Sequence, residues 1–278
     1  MAEIELYHRT ADSITQQELA ILGKEEESAT SSPEELGLPI SSHALYFRDA
    51  RTGNHRRYHY KTFSNEERQL HVLLHKNKQY QWLLAEAYET FEDFIENSYA
   101  FIGSANSTAW PLRDYGNIFF NDLPSKQYDW YLDQAKNKNN TPTSILNIYR
   151  KKFPELKTIA ASNNLNINLD LAIILIEKLR HIIVHKGGIV ENREDFTIKV
   201  LEQAGLYNNG NPAQKNTDFI RMFFGGDEYS NLITILEIQV EPLMSIEVHV
   251  SRFSKLTNYL MAYALLIYDS IASDNKRG

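Results

Sequence analysis

The sequence predicts a mainly α-helical protein, an antiparallel helical bundle with a small N-terminal β-hairpin and an irregular insertion before the last helix. Three observations carry this. From Gln79 onward the apolar residues recur with a helical period. A long apolar segment ends in Arg, two His and a double glycine at Gly187 and Gly188, the pattern of a buried helix that stops abruptly. Strand-like aromatic segments around a Gly-Asn turn are confined to one short stretch before Gln79.

Taken in order, residues 1–76 form an N-terminal extension. GKEEESATSSPEELG, Gly23 to Gly37, is acidic, small and proline-containing, and reads as an exposed loop or linker. ALYFRDARTGNHRRYHYKTF follows as a hairpin with Gly53 and Asn54 in its turn. Residues 77–278 form the bundle. In QYQWLLAEAYETFEDFIENSYAFIG, Leu84, Tyr88, Phe91, Ile95 and Ile102 define one face, acids lie opposite, and Gly103 marks a stop. KQYDWYLDQAK predicts a shorter helix. The next opens with Thr141 as cap and Pro142 as first helical residue, then runs through ILNIYRKKF until Pro154 breaks it. Asn168 is the expected cap of the apolar segment, with Asp170 complementing its dipole. The insertion spans about 189–247; within it FTIKVLEQAG and DFIRMFFGG look like short helices and LITILEIQV like a strand. A long final helix is expected over roughly Ser245 to Ala272.

Composition removes whole classes of function. With 278 residues, 42% of them hydrophobic, the chain is long enough for a substantial core. Its net charge of −7 excludes a general nucleic-acid coat, so any nucleic-acid role must rest on a local site. The absence of cysteine excludes disulfides, thiolate metal sites and a cysteine nucleophile, and fits a cytoplasmic location. MAEIELYHRT lacks the pattern of a secretory signal, and apolar runs such as LMAYALLIY are too short to span a bilayer. No membrane partner is expected.

The chemistry concentrates in LDLAIILIEKLRHIIVHK, Leu169 to Lys186. On a helix, Asp170, Glu177 and His181 fall near one line, with Lys178 and His185 on one flank and Arg180 on the other. Arg180 and His185 are separated by about 140° of rotation and about 7.5 Å along the axis. They straddle a polar stripe, a geometry suited to two copies facing each other across a two-fold axis. The residue types suit RNA cleavage. RNA carries its own nucleophile, the 2′-hydroxyl, so the reaction needs only proton transfer and charge stabilisation. Histidine supplies the first near neutral pH, and a helix carboxyl end favours its acid form. Arginine supplies the second as a permanently charged fork. No metal or other cofactor is required.

The run RHIIVH, Arg180 to His185, followed by KGG, resembles the motif of HEPN-domain proteins: Arg, a polar residue, mostly apolar residues, then His. His181 fills the polar position, and Glu177, three before the arginine, is also family-like. The resemblance covers Gln79 to Ala272. It implies a dimerising helical bundle and, in many members, a metal-independent endoribonuclease serving as toxin, defence factor or RNA-processing component. On that reading His185 transfers protons, Arg180 contacts phosphate, and His181 and Glu177 orient them. The implied partners are RNA, single-stranded or tRNA-like, a second copy of the chain, and an inhibitor or antitoxin protein. Arg56, Arg57 and Lys186 are candidate substrate contacts.

Plainer readings stand beside these. Arg and His at a helix end also complement the dipole and cap carbonyls, which would leave a non-catalytic HEPN-like interaction module. A nucleotide-binding protein using Arg180 and the basic hairpin is a third reading. His71 and His75 have the i, i+4 spacing of metal ligands but no evident third ligand, and read as an exposed helix face. NHRRYHYK, Asn54 to Lys61, interleaves basic and aromatic residues as an RNA surface would, and equally as a protected edge strand. The acids of YETFEDFIEN read as a solvated face.

Overall fold

The computed structural model describes residues 1–30, 41–207, 210–243 and 246–275. The chain is mainly helical, as predicted, with two small antiparallel hairpins, and it divides into two compact units, Ala2–Tyr80 and Gln81–Gly278, the latter with Met1.

The first unit pairs α1 (Ala2–Thr30) with the opening turns of α2 (Asn65–Ala105). Ile4, His8, Ala11, Thr15 and Leu22 form the buried stripe of α1, and Tyr80 is its fully buried counterpart on α2. Contacts run antiparallel: the His8 ring lies 4.4 Å from Tyr80, Lys76 meets Asp12 at 2.6 Å, and Arg68 meets Glu25 at 2.6 Å. Strands β1 (Ser41–Arg48) and β2 (His55–Phe63) form the expected hairpin between these helices. Asp49 fastens its turn, accepting from the Arg51 amide at 2.9 Å and pairing with Arg56 at 2.8 Å.

Two expectations fail here for identifiable reasons. Gly23 to Thr30, read as the start of a loop, completes α1, because its acids serve α2: Glu25 binds Arg68 and Glu26 accepts from Asn65. The rest of that expected loop, 31–37, lies outside the described residues. Helix α2 begins at Asn65 rather than Gln79, since Ser64 and Glu67 form a reciprocal capping box with bonds of 2.9 and 3.1 Å.

The second unit gathers the remaining helices around α6 (Leu169–Lys186). Before it come α3 (Tyr128–Lys136), α4 (Thr143–Lys152) and α5 (Pro154–Ala161). Leu84, Tyr88, Phe91, Ile95 and Ile102 are all buried, as their spacing predicts. Gly103 does not stop α2. Its missing side chain instead makes room for Trp110, whose ring would lie 2.3 Å from a Cβ there. Thr141 does not cap α4; its hydroxyl donates to the Lys138 carbonyl at 2.7 Å, and Pro142 is the cap residue. Pro154 both ends α4 and opens α5, where its absent amide hydrogen is no loss.

Around α6 the burial is nearly complete: Leu169, Leu171 to Ile176, Leu179 and Ile183 are all inside. Asn168 caps it as expected, accepting from the Leu171 amide at 3.0 Å. Asp170 is held by Arg150 at 2.6 Å and the Tyr263 hydroxyl at 2.7 Å. The two glycines divide the exit between them. Gly187, at φ 65°, ends the helix in a left-handed turn, and the Gly188 amide bonds back to the Ile182 carbonyl at 3.1 Å. Gly188, at φ 87°, lies against the buried Gln81 side chain, whose amide donates to the Ile233 carbonyl at 2.8 Å. A Cβ on Gly188 would sit 2.5 Å from the Gln81 amide, whereas one on Gly187 meets open space. Gly187→Ala should therefore cost about 1 kcal/mol and Gly188→Ala about 2–4 kcal/mol in chemical denaturation. Equal losses would contradict this division of labour.

Among its described residues, the region expected as an irregular insertion is regular. It holds α7 (Arg193–Gln203), α8 (Gln214–Arg221) and a second hairpin of β3 (Glu237–Leu243) and β4 (Ile246–Ser251). The last helix, α9, accordingly runs over Arg252–Asn275 instead of starting near Ser245, because the alternating β-branched residues of IEVHVS form the second strand. Arg252, only 7% exposed, anchors the junction. It donates to the carbonyls of Leu236 and Met222, both at 2.8 Å, and of Phe224 at 3.4 Å. Burial pushes its pKa down to about 10, with Glu237 opposing.

Candidate functional site at the carboxyl end of α6

The last turns of α6 emerge from the core, and the polar residues fan out from Glu177 onward. Glu177 accepts from the Thr143 hydroxyl of α4 at 3.0 Å and pairs with Lys178 at 3.3 Å. Arg180 turns towards α2, where Glu89 holds its Nη2 at 3.0 Å. Among the described residues its buried Nε has no hydrogen-bond partner, and neither has the buried Tyr88 hydroxyl. Burial, with the charges of Glu177 and Glu92, pushes the Tyr88 phenol up, Arg180 opposing. Burial likewise raises the Glu92 carboxyl, reinforced by Glu96 and eased by Arg180.

His181 and His185 are exposed, and their rings lie 4.7 Å apart with a 54° tilt. His181 is held below the usual imidazole range. The protein on its inner side strips part of its hydration, and His185, Lys178, Arg180 and Lys186 add unfavourable charge. Lys186 pairs with Glu191 at 2.6 Å, which with its hydrogen bond lowers the Glu191 carboxyl. Beside His181 a groove of about 280 Å³ separates α6 from α7. Ile182, Val190, Phe196 and Val200 supply apolar walls, and the charge is mixed, Lys178, Lys186 and Lys199 against Glu191 and Asp195.

Of the sequence-predicted residues, Glu177, Arg180, His181, His185 and Lys186 share this helix end, but they divide between its sides. No hydrogen bond or ring contact joins Arg180 to either histidine among the described residues. Arg56 and Arg57 belong to the first unit, on β2, with Arg56 engaged by Asp49. His71 and His75 are exposed on α2, His71 packing edge-on against Phe63 at 4.6 Å. Among the described residues no group of three or more His, Asp or Glu is placed to hold a metal.

Sequence reasoning missed Glu89, Thr143 and Lys199. It read the acids of YETFEDFIEN together as a solvated face, yet Glu96 is buried and Glu92 loses much of its hydration. For Glu96 burial raises the carboxyl pKa, Lys136 working against it. Its charged form thus costs stability at neutral pH, and the cost is relieved as pH falls through the raised folded value towards 4.5. Glu96→Gln should raise the melting temperature by a few degrees at pH 7, with the gain disappearing near pH 4.5. A loss at pH 7 would show that Lys136 outweighs burial.

Comparison with protein-family models, curated proteins and solved structures returns no match for this chain.

Proposed function

We propose that the carboxyl end of α6 cleaves RNA without a metal, by attack of the 2′-hydroxyl on the adjacent phosphate. One observation supports this reading above the others. Two exposed imidazoles lie 4.7 Å apart, close enough to serve one phosphate, and one of them is biased towards its neutral form. His181 takes the 2′-hydroxyl proton as base, and His185 gives a proton to the departing 5′-oxygen. The new O–P bond closes a 2′,3′-cyclic phosphate as the P–O5′ bond breaks, leaving a 5′-hydroxyl. Arg180, held by Glu89 on the other side of the helix, brings permanent positive charge to the phosphate oxygens from a second copy of the chain facing these imidazoles. Lys178 and Lys186 raise the local positive potential.

The engaged state of Arg180 and Glu177 favours a second reading, a non-catalytic helical interaction module in which both residues only tie α6 to its neighbours. A mixed RNA pool incubated in EDTA with the native protein, His185→Ala, His181→Ala and Arg180→Ala separates the two. Fragments ending in 2′,3′-cyclic phosphate from the native protein alone support the nuclease. RNA left intact by folded native protein, across pools of differing structure, sinks it in favour of the module.

A further inference from the structure

The groove between α6 and α7 is built from two kinds of surface. Ile182, Val190, Phe196 and Val200 give it apolar sides, while His181 reaches it from α6 and Asp195 and Lys199 from α7. Its volume of about 280 Å³ is the scale of one nucleobase, just below the range of drug-sized ligands and too small for a base pair. Apolar sides suit the faces of an aromatic ring, and polar groups at its edge select among rings.

Asp195 is the member of this lining that the fold does not use. The acids on either side of it in sequence are engaged: Glu191 holds Lys186 at 2.6 Å, and Glu194 pairs with Arg193 and Arg221. Asn192 already caps α7, accepting from the amides of Glu194 and Asp195. The Asp195 side chain is exposed and has no hydrogen bond or ion pair among the described residues. Lys199 stands one turn further along α7, at the i+4 position. An acid and a base so spaced readily pair with each other. Here neither has an ion pair among the described residues, and both line the groove.

A carboxylate only accepts, and it takes two parallel bonds from donors set side by side. Of the RNA bases only guanine presents such donors, N1–H and the N2 amino group, with the O6 acceptor next to them for a lysine. Adenine, cytosine and uracil each set a single donor group beside an acceptor. His181 decides which nucleotide enters. As the base that takes the 2′-hydroxyl proton, it lies against the ribose whose 3′-phosphate is attacked, so the groove beside it receives that nucleotide's own base.

Resting on the RNA reading above, we infer that the α6–α7 groove is the subsite for the base on the 5′ side of the cut. It selects guanine through Asp195 and Lys199, and the products end in guanosine 2′,3′-cyclic phosphate.

Calorimetric titration of the full chain with the common ribonucleoside 3′-monophosphates tests this without any turnover. The guanosine compound should bind at least about tenfold tighter than those of adenosine, cytidine and uridine. Inosine 3′-monophosphate lacks only the N2 amino group. It should bind the native protein about tenfold more weakly than the guanosine compound, and Asp195→Ala should bind the two equally. If Asp195 were only a surface charge, its removal would tighten every ligand together and leave the guanosine preference standing, which would overturn the assignment. Native protein that binds all the monophosphates alike, or none, overturns the subsite. The nuclease stands or falls separately. Guanosine preference with RNA left whole keeps the guanine site and sinks the cleavage, whereas RNA cut after every base without that preference does the reverse.

Discussion

Replacing His185 by alanine is expected to slow RNA cleavage by about 10²–10⁴-fold, the usual contribution of one positioned acid or base. Its neighbour should cost as much when removed, but for a different step. A ribonucleotide substrate whose leaving group is a nitrophenolate needs no proton on departure. His185→Ala should therefore recover much of its rate on that substrate, and His181→Ala should not. The pH profile follows from the same assignment. Because burial and positive neighbours lower the His181 pKa, its neutral form persists to a pH below the usual imidazole range. The acid limb of the profile should thus be displaced downward, and removing a contributing charge in Lys178→Ala should move it back up. A profile indifferent to Lys178, or equal rescue of both histidine variants, would reverse or abolish the assigned roles.

Arg252→Met should be the most damaging single change to the fold, by about 3–5 kcal/mol in the midpoint of guanidinium unfolding. Methionine fills most of the volume yet donates nothing, so the carbonyls of Leu236, Met222 and Phe224 lose their shared donor inside the protein. Arg252→Lys keeps a charge but not the planar fork that reaches separate chain segments, and should fall between the two. A loss below about 1 kcal/mol for the methionine variant would mean water replaces the guanidinium there.

The helices were legible wherever a periodic apolar face met a local stop signal. The α6 segment is the clearest case, since Asn168, the apolar arc and Gly187 each act within a few residues. The reading failed where the deciding partner was distant. Glu25 and Glu26 read as loop residues because Arg68 and Asn65, which make them helical surface, lie some forty positions away. The start of α2 was different: Ser64 and Glu67 are a local capping signal, overlooked because the polar run HKNK, His75 to Lys78, interrupts the apolar residues that follow it. For the candidate site the helix wheel placed Arg180 and His185 on opposite flanks, and the structure turns one to Glu89 and sets the ring of the other, tilted, 4.7 Å from that of His181. No spacing rule names Glu89 as that partner, because the ion pair joins residues 91 positions apart.

The contact of Gln81 with Gly188 constrains how this sequence can diverge. Only glycine leaves room for that glutamine, and only a side chain of its reach meets the Ile233 carbonyl. A lineage that acquires alanine or serine at position 188 must first shorten position 81, and then find another donor for position 233. The three sites are therefore epistatic: each permits change only on the right background at the other two. Drift at the exit of α6 is channelled through paired substitutions, while Gly187, with open space around it, is released to vary alone at the modest cost of its left-handed turn.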